Sequence, residues 1–308
     1  MPIFLVSYFI DIFISDNLKK SNIYAQEEYT TWNDLFNGKI NSDIVIYGSS
    51  RAWTQIDPVM ISNSLHIPTY NLGIDGHNFW LQYLRHLFLL KNNQKPKLIV
   101  QSLDIYTLGK RSDLYNPDQF LPYMLWNNEI KNATISYNGF NLIDYEIPLI
   151  RYFGKSDAIL TALNLFIRPQ SNKVGRINGY QAKDLSWNGD FEKAQKAMKF
   201  YEVSLDTATI NLFERFLKEV EKNNIKIMFV YSPEYIEGQK FVKNRNPIIK
   251  LYQEISKKHN IPFYDYSSDS ISLNKNYFYN ASHLNKTGAE LFTKKLIRNI
   301  ASIINKAK

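Results

Sequence analysis

Two short stretches near opposite ends of the chain carry residue types that could do acyl-ester chemistry together. Gly48-Ser49-Ser50 follows the apolar run Ile44-Val-Ile-Tyr47, and Asn280-Ala-Ser-His283 stands just before the last helical pattern. A serine on a tight strand-to-helix turn projects its hydroxyl from the rim of a sheet. Its own N–H lies near a helix N-terminus, where developing negative charge is stabilised. The ordinary alternative is that Ser49 or Ser50 merely caps the helix that follows. A serine nucleophile also needs a base. His283 sits in a polar loop, whereas His66, His77, His86 and His259 fall within or beside apolar helical patterns or at a helix end, which suits structural or solvated roles. None of the five has HExxH-type spacing, and the sequence contains no cysteine, so disulfides, thiolate catalysis and Cys-ligated zinc are excluded. Neither G-x-G-x-x-G nor a P-loop follows the first strand. No cofactor and no metal is expected.

The elements around these residues read as α/β. Strand patterns at 43–47, 68–73, 97–103, 225–230 and 262–266 alternate with helical ones. Asp57-Pro58 and Asp206 supply helix starts, the 77–91 helix is apolar nearly all round, and a helix from Lys286 closes the chain. Such alternation predicts a parallel sheet covered by helices on both faces, with ligands beyond the carboxyl ends of the strands. Gly48-Ser49-Ser50, the stretch Gly73 to Gly76 and Asp104 all fall at such ends, so they should converge on one crevice. From about 106 to 204 the periodicity breaks down, which predicts an inserted, partly helical segment or lid. Its aromatic residues Tyr115, Phe120, Tyr123, Trp126 and Tyr145 read as the insert's core or as substrate contacts. The expected organisation is an N-terminal anchor or helix at 1–20 and an α/β domain at 42–308, interrupted by that insert.

Composition sets wider bounds. At 308 residues, 44% hydrophobic and 21% charged, the chain is a folded protein with a sizeable core. The net charge of +8 comes from scattered lysines; the densest group, Lys294, Lys295 and Arg298, lies on the polar side of a helix. No nucleic-acid-binding signature accompanies it, so nucleic acid is not an expected partner, and an anionic envelope polymer or lipid surface accounts for the charge equally well. Residues 1–14 are apolar but interrupted by Asp11 and too short for a comfortable span of about 20 residues. They read as a signal-peptide core or signal anchor. The alternative is a buried amphipathic helix and a cytoplasmic protein; Lys19 and Lys20 just beyond argue against export.

Taken together, the blocks resemble the SGNH (GDSL-like) hydrolase superfamily, in particular its envelope-associated branch of DltD-like proteins and polysaccharide O-acyltransferase-like proteins. Gly48-Ser49-Ser50 is similar to the first block, Asn71-Leu-Gly-Ile-Asp-Gly76 to the second, and Asn280-Ala-Ser-His283 to the last. The resemblance covers 43–103 and 225–305 and leaves the middle of the chain unmatched. It implies a three-layer, flavodoxin-like fold with Ser50 as nucleophile, His283 as base, and the Ser50 and Gly76 amides as an oxyanion hole. It further implies an esterase or O-acyltransferase at the cell envelope, facing the extracytoplasmic side. An acylated polysaccharide or cell-wall polymer would be the substrate, and membrane-embedded acyl-donor machinery a partner. Two departures weigh against full activity and leave open a catalytically impaired scaffold. Tyr106 stands where the third block has its oxyanion Asn, and Asn280 replaces the usual Asp at the catalytic position. There it can accept from the imidazole N–H and fix the ring but brings no charge, or it leaves a Ser50–His283 dyad. If a carboxylate still serves the histidine, the candidates are Asp265, Asp269 and Asp104.

Overall fold

Short runs of Ile, Val and Leu, each ending in small or polar residues, become the strands of one parallel sheet. The computed structural model describes residues 2–76, 78–169 and 175–305, so His77 lies outside the described residues. In chain order, helices α1 (Pro2–Leu18) and α2 (Glu28–Phe36) precede strand β1 (Ile44–Tyr47), α3 (Ser50–Gln55), α4 (Pro58–Leu65), β2 (Thr69–Asn71), α5 (Phe79–Asn92) and β3 (Leu98–Leu103). Helices α6 (Asn128–Thr134), α7 (Leu142–Glu146), α8 (Ser156–Ile167), α9 (Asp190–Ala197) and α10 (Thr207–Lys222) follow. Then come β4 (Lys226–Tyr231), α11 (Ile236–Phe241), α12 (Arg245–Lys258), β5 (Phe263–Asp265), the small strands β6 (Phe278–Asn280) and β7 (His283–Leu284), and α13 (Lys286–Asn305).

Two compact units arise from this order: Met1–Lys39 with Arg111–Arg176, and Ile40–Lys110 with Ile177–Lys308. In the second unit the sheet runs β2-β1-β3-β4-β5, all parallel, which is the flavodoxin-like order. Alternation decides its layers. Ile44, Ile46, Leu98, Val100, Met228 and Val230 share one face and pack with Phe292, Leu296 and Ile300 of α13. On the opposite face Tyr47 meets Phe216, and Phe229 meets Phe213, both from α10. The order reverses between β1 and β3, which places the crevice at the carboxyl ends of those two strands.

Asp57 caps α4 by accepting from the Val59 and Met60 amides, and Asp206 caps α10 through the Thr209 amide, as the sequence predicts. The expected insert at 106–204 is divided differently: only Arg111–Arg176 joins the first unit, while the chain from Ile177 onward belongs with the sheet. Its start is stitched there by Asn178 O accepting from the Asn71 amide at 2.8 Å and by the Gln181 amide donating to Trp53 O at 3.4 Å.

In the first unit, Tyr29, Trp32, Phe120, Tyr145 and Tyr152 form an aromatic core. Of the aromatic residues expected as core or substrate contacts, Phe120 and Tyr145 are therefore buried, Tyr123 stacks on Phe36 at 4.8 Å, and Trp126 stays half exposed. Asp11, the interruption in the apolar N-terminus, is fully buried and takes both terminal nitrogens of Arg151 at 2.6 and 2.7 Å. Removing the carboxylate leaves a buried guanidinium uncompensated, a loss of about 3–5 kcal/mol. Urea unfolding of Asp11→Ala should show a stability loss of that order; a midpoint unchanged from wild type contradicts the pairing.

Candidate active site

Gly48 explains why a buried strand stops on two small hydroxyl residues. A β-carbon there would stand 2.7 Å from the Ala52 Cβ and 2.9 Å from the Ser102 Cβ, closer than packed atoms allow. Its absence lets α3 begin directly against the ends of β1 and β3. Gly73 does the same on the other side, since its β-carbon would fall 2.5 Å from the Trp53 nitrogen. Asn71, at the end of β2, fastens this contact by donating to Ala52 O and Ile56 O at 2.8 Å and accepting from the Gly73 amide.

The two serines then separate by environment. Ser49 is buried at the N-cap of α3 and donates to Asp104 Oδ2 at 2.5 Å, bridging the ends of β1 and β3. Ser50 is the first helical residue, keeps partial exposure, and has its Oγ 2.8 Å from His283 Nε2. The histidine does not sit in a plain polar loop. It lies on β7, paired antiparallel with Asn280 of β6, a ladder too short to show as periodicity in the sequence.

Asn280 fixes the ring. Its Oδ1 accepts from the Ser282 amide at 3.1 Å, the His283 amide at 3.0 Å and His283 Nδ1 at 3.0 Å. Two of those donors are backbone amides, so the oxygen, not the nitrogen, must face the loop. Nδ1 therefore carries the proton, and the Nε2 lone pair points at the Ser50 hydroxyl. Tyr279 stacks on the imidazole, with centroids 5.3 Å apart. Asn188 N donates to Tyr279 O and Lys286 N to Lys183 O, so residues 178–188 run as a strap past β2, α3, the histidine loop and α13.

None of the three carboxylates considered from sequence reaches His283. Asp104 accepts from Ser49 and from the Tyr106 amide, Asp265 from the Ser267 amide, and Asp269 caps a short turn and pairs with Lys295 at 2.7 Å. Gly76 lies in a left-handed turn beyond β2, with φ of 67°. Tyr106 is 47% exposed and packs edge-on to Tyr201.

A neighbouring cluster has no sequence signature. Arg51 donates to Glu234 Oε1 at 2.8 Å and to Ser232 O at 2.5 Å, and lies over the Tyr231 ring. Glu234 also accepts from the Tyr231 hydroxyl and pairs with Arg245 at 3.4 Å. Only the strand-end positions of Ser232 and Glu234 after β4 hint at it. Burial, and secondarily the Arg51 charge, push the His283 imidazole down from its ordinary 6.5 to about 3. The remaining described histidines serve elsewhere: His86 bonds the Tyr47 hydroxyl, His259 bonds Glu214, and His66 ends α4 at the surface. Among the described residues there is no group of three or more His, Asp or Glu side chains able to hold a metal.

No protein-family model and no curated protein matches the sequence. Several solved structures are similar in outline. A protein from Desulfitobacterium hafniense DCB-2 assigned to the G-D-S-L family of lipolytic proteins is 12% identical, over 84% of this chain and 99% of that one, with a TM-score of 0.41. A GDSL-like lipase from Bacteroides thetaiotaomicron VPI-5482 is 13% identical over 89% and 98%, with a TM-score of 0.39. An acetyl xylan esterase is 13% identical over 83% and 99%, with a TM-score of 0.40. Likeness of that degree leaves the chemistry to be judged from the side chains themselves.

Two measurements follow from this geometry. Ser49→Ala strips Asp104 of a buried partner and should cost about 1–3 kcal/mol in denaturant unfolding; an unchanged midpoint contradicts the bridge. For His283, the unfolded chain takes up a proton below about 6.5 while the folded ring does so only near 3. Its contribution to stability is thus complete above about 6.5 and is lost as pH falls toward 3. NMR of the ring should show no titration between about pH 5 and 8, and a midpoint near 6.5 contradicts the burial.

Proposed function

We propose that this chain is a serine acyl-ester hydrolase or O-acyltransferase of the SGNH (GDSL-like) superfamily. The observation that carries this reading is the Ser50 Oγ at 2.8 Å from His283 Nε2, with Asn280 Oδ1 holding the opposite ring nitrogen. His283 Nε2 takes the Ser50 proton as Oγ attacks the ester carbonyl carbon. The amides of Ser50 and Gly76 receive the oxyanion. As the tetrahedral intermediate collapses, the imidazolium protonates the departing alcohol. The acyl-serine is then attacked by water, giving the acid, or by a sugar or polymer hydroxyl, giving a new ester.

The resemblance to the envelope-associated branch and the net charge of +8 support an acylated polysaccharide or cell-wall polymer as substrate. On that reading the chain works at the cell envelope, facing the extracytoplasmic side, and a transferase would draw on membrane-embedded acyl-donor machinery. Tyr106 stands at the position of the missing oxyanion Asn.

A second reading, a catalytically impaired scaffold that binds polysaccharide or assists envelope assembly, is favoured by one observation. The imidazolium that must form during turnover faces a neutral amide at Asn280 and lies in the field of the Arg51 cation. The two readings separate by experiment. A fluorophosphonate probe should label the wild type but neither Ser50→Ala nor His283→Ala; absence of wild-type labelling across pH 5–9 favours the scaffold. Asn280→Asp restores a carboxylate to the ring and should raise ester turnover, by at most about 10⁴-fold, the cost of the reverse exchange in serine proteases. The added charge also raises the imidazole's affinity for protons, so the acid limb of kcat/KM should move to higher pH.

A further inference from the structure

Helix α1 is built inside out. Its buried residues include Asp11, Ser15 and Asn17, while Ile3, Phe4, Leu5 and Val6 are 86, 50, 57 and 57% exposed. Four consecutive residues at 3.6 per turn point in nearly every direction around the axis. A folded partner seats against one stripe of a helix and would leave the other sides in water. A fluid hydrocarbon phase covers all of them. The only charge in the helix before Asp16, Asp11, is turned inward onto Arg151, as ionisable groups are in helices surrounded by lipid.

The apolar surface continues onto α8, where Phe13 and Phe166 meet with centroids 5.0 Å apart. Leu160, Leu163, Phe166 and Ile167 are 58, 39, 60 and 69% exposed, and no charged residue occurs from Ala158 to Ile167. At its edge, Arg168 opens onto a cleft of about 860 Å³ shared with Ser21, Tyr24 and Asn164. Arg168 and Lys20, the neighbour of Ser21, are exposed and pair with no carboxylate among the described residues. Such cations suit lipid phosphates. No described helix is long and apolar enough to cross a membrane.

We infer that α1 and the outer edge of α8 form a face that enters the hydrocarbon of an anionic phospholipid bilayer. The inference uses the first unit alone and stands apart from the ester chemistry.

The full chain should float with vesicles of phosphatidylcholine and phosphatidylglycerol at 7:3. Leu5→Glu combined with Phe9→Glu should weaken that partition at least tenfold, with an unchanged circular dichroism spectrum and urea midpoint. Lys20→Gln combined with Arg168→Gln should erase the preference for phosphatidylglycerol, at about fivefold per cation. Wild-type protein that stays in the soluble fraction both with these vesicles and with vesicles of phosphatidylcholine alone overturns the inference. So does partition that ignores Leu5→Glu and Phe9→Glu. A dimer in sedimentation that those two changes dissolve, without vesicle binding, would instead assign the face to a second copy.

Discussion

The close approach of α3 to the strand ends is the constraint from which the candidate site is built. Backbone must touch backbone at Gly48 and Gly73, where any β-carbon would collide with Ala52, Ser102 or Trp53. Once α3 is held there, Ser49 can only turn inward to Asp104, across the point where the strand order reverses. Ser50, one residue on, is left facing the crevice. The hydroxyl's position is thus a result of main-chain packing, and Asn71 reinforces it from the neighbouring strand.

Around that hydroxyl the charges are arranged unusually. A positive guanidinium adjoins the serine and is neutralised on its far side by Glu234, while the imidazole is backed by an amide. The imidazole is therefore neutral at rest, and becoming charged is costly. In the proposed ester chemistry a substrate oxyanion is the group that would offset the imidazolium, so stabilisation would be concentrated in the transition state.

Much of this was legible in the sequence, and the failures have physical causes. Strand ends and caps announced themselves because Gly48, Asp57 and Asp206 satisfy local backbone demands that no other part of the chain can meet. His283 stood out by its polar loop, whereas Ser50 was separated from Ser49 only by the resemblance to the SGNH (GDSL-like) superfamily. Asn280 could be named as an acceptor for the ring, but not chosen over Asp104, Asp265 and Asp269, because those carboxylates compete for local amides and a lysine, and that competition is decided only in three dimensions. The Arg51–Glu234 pair joins residues far apart in the chain and carries no spacing rule. The insert's far boundary was misplaced because the chain from Ile177 forms its bonds to the sheet unit through main-chain atoms, which residue types do not reveal. Asp11 read as a flaw in an apolar stretch, whereas burial against Arg151 makes it the anchor of that helix.

The strap at residues 178–188 has a dynamic corollary. It shares hydrogen bonds with the strand end beside the serine helix, with the serine helix itself and with the loop that carries the imidazole. Fraying that frees one of these segments withdraws partners from the others, so they open as one cooperative unit rather than as independent fluctuations. The serine and the histidine, though remote in sequence, thereby belong to a single foldon, and their alignment persists or vanishes in one event.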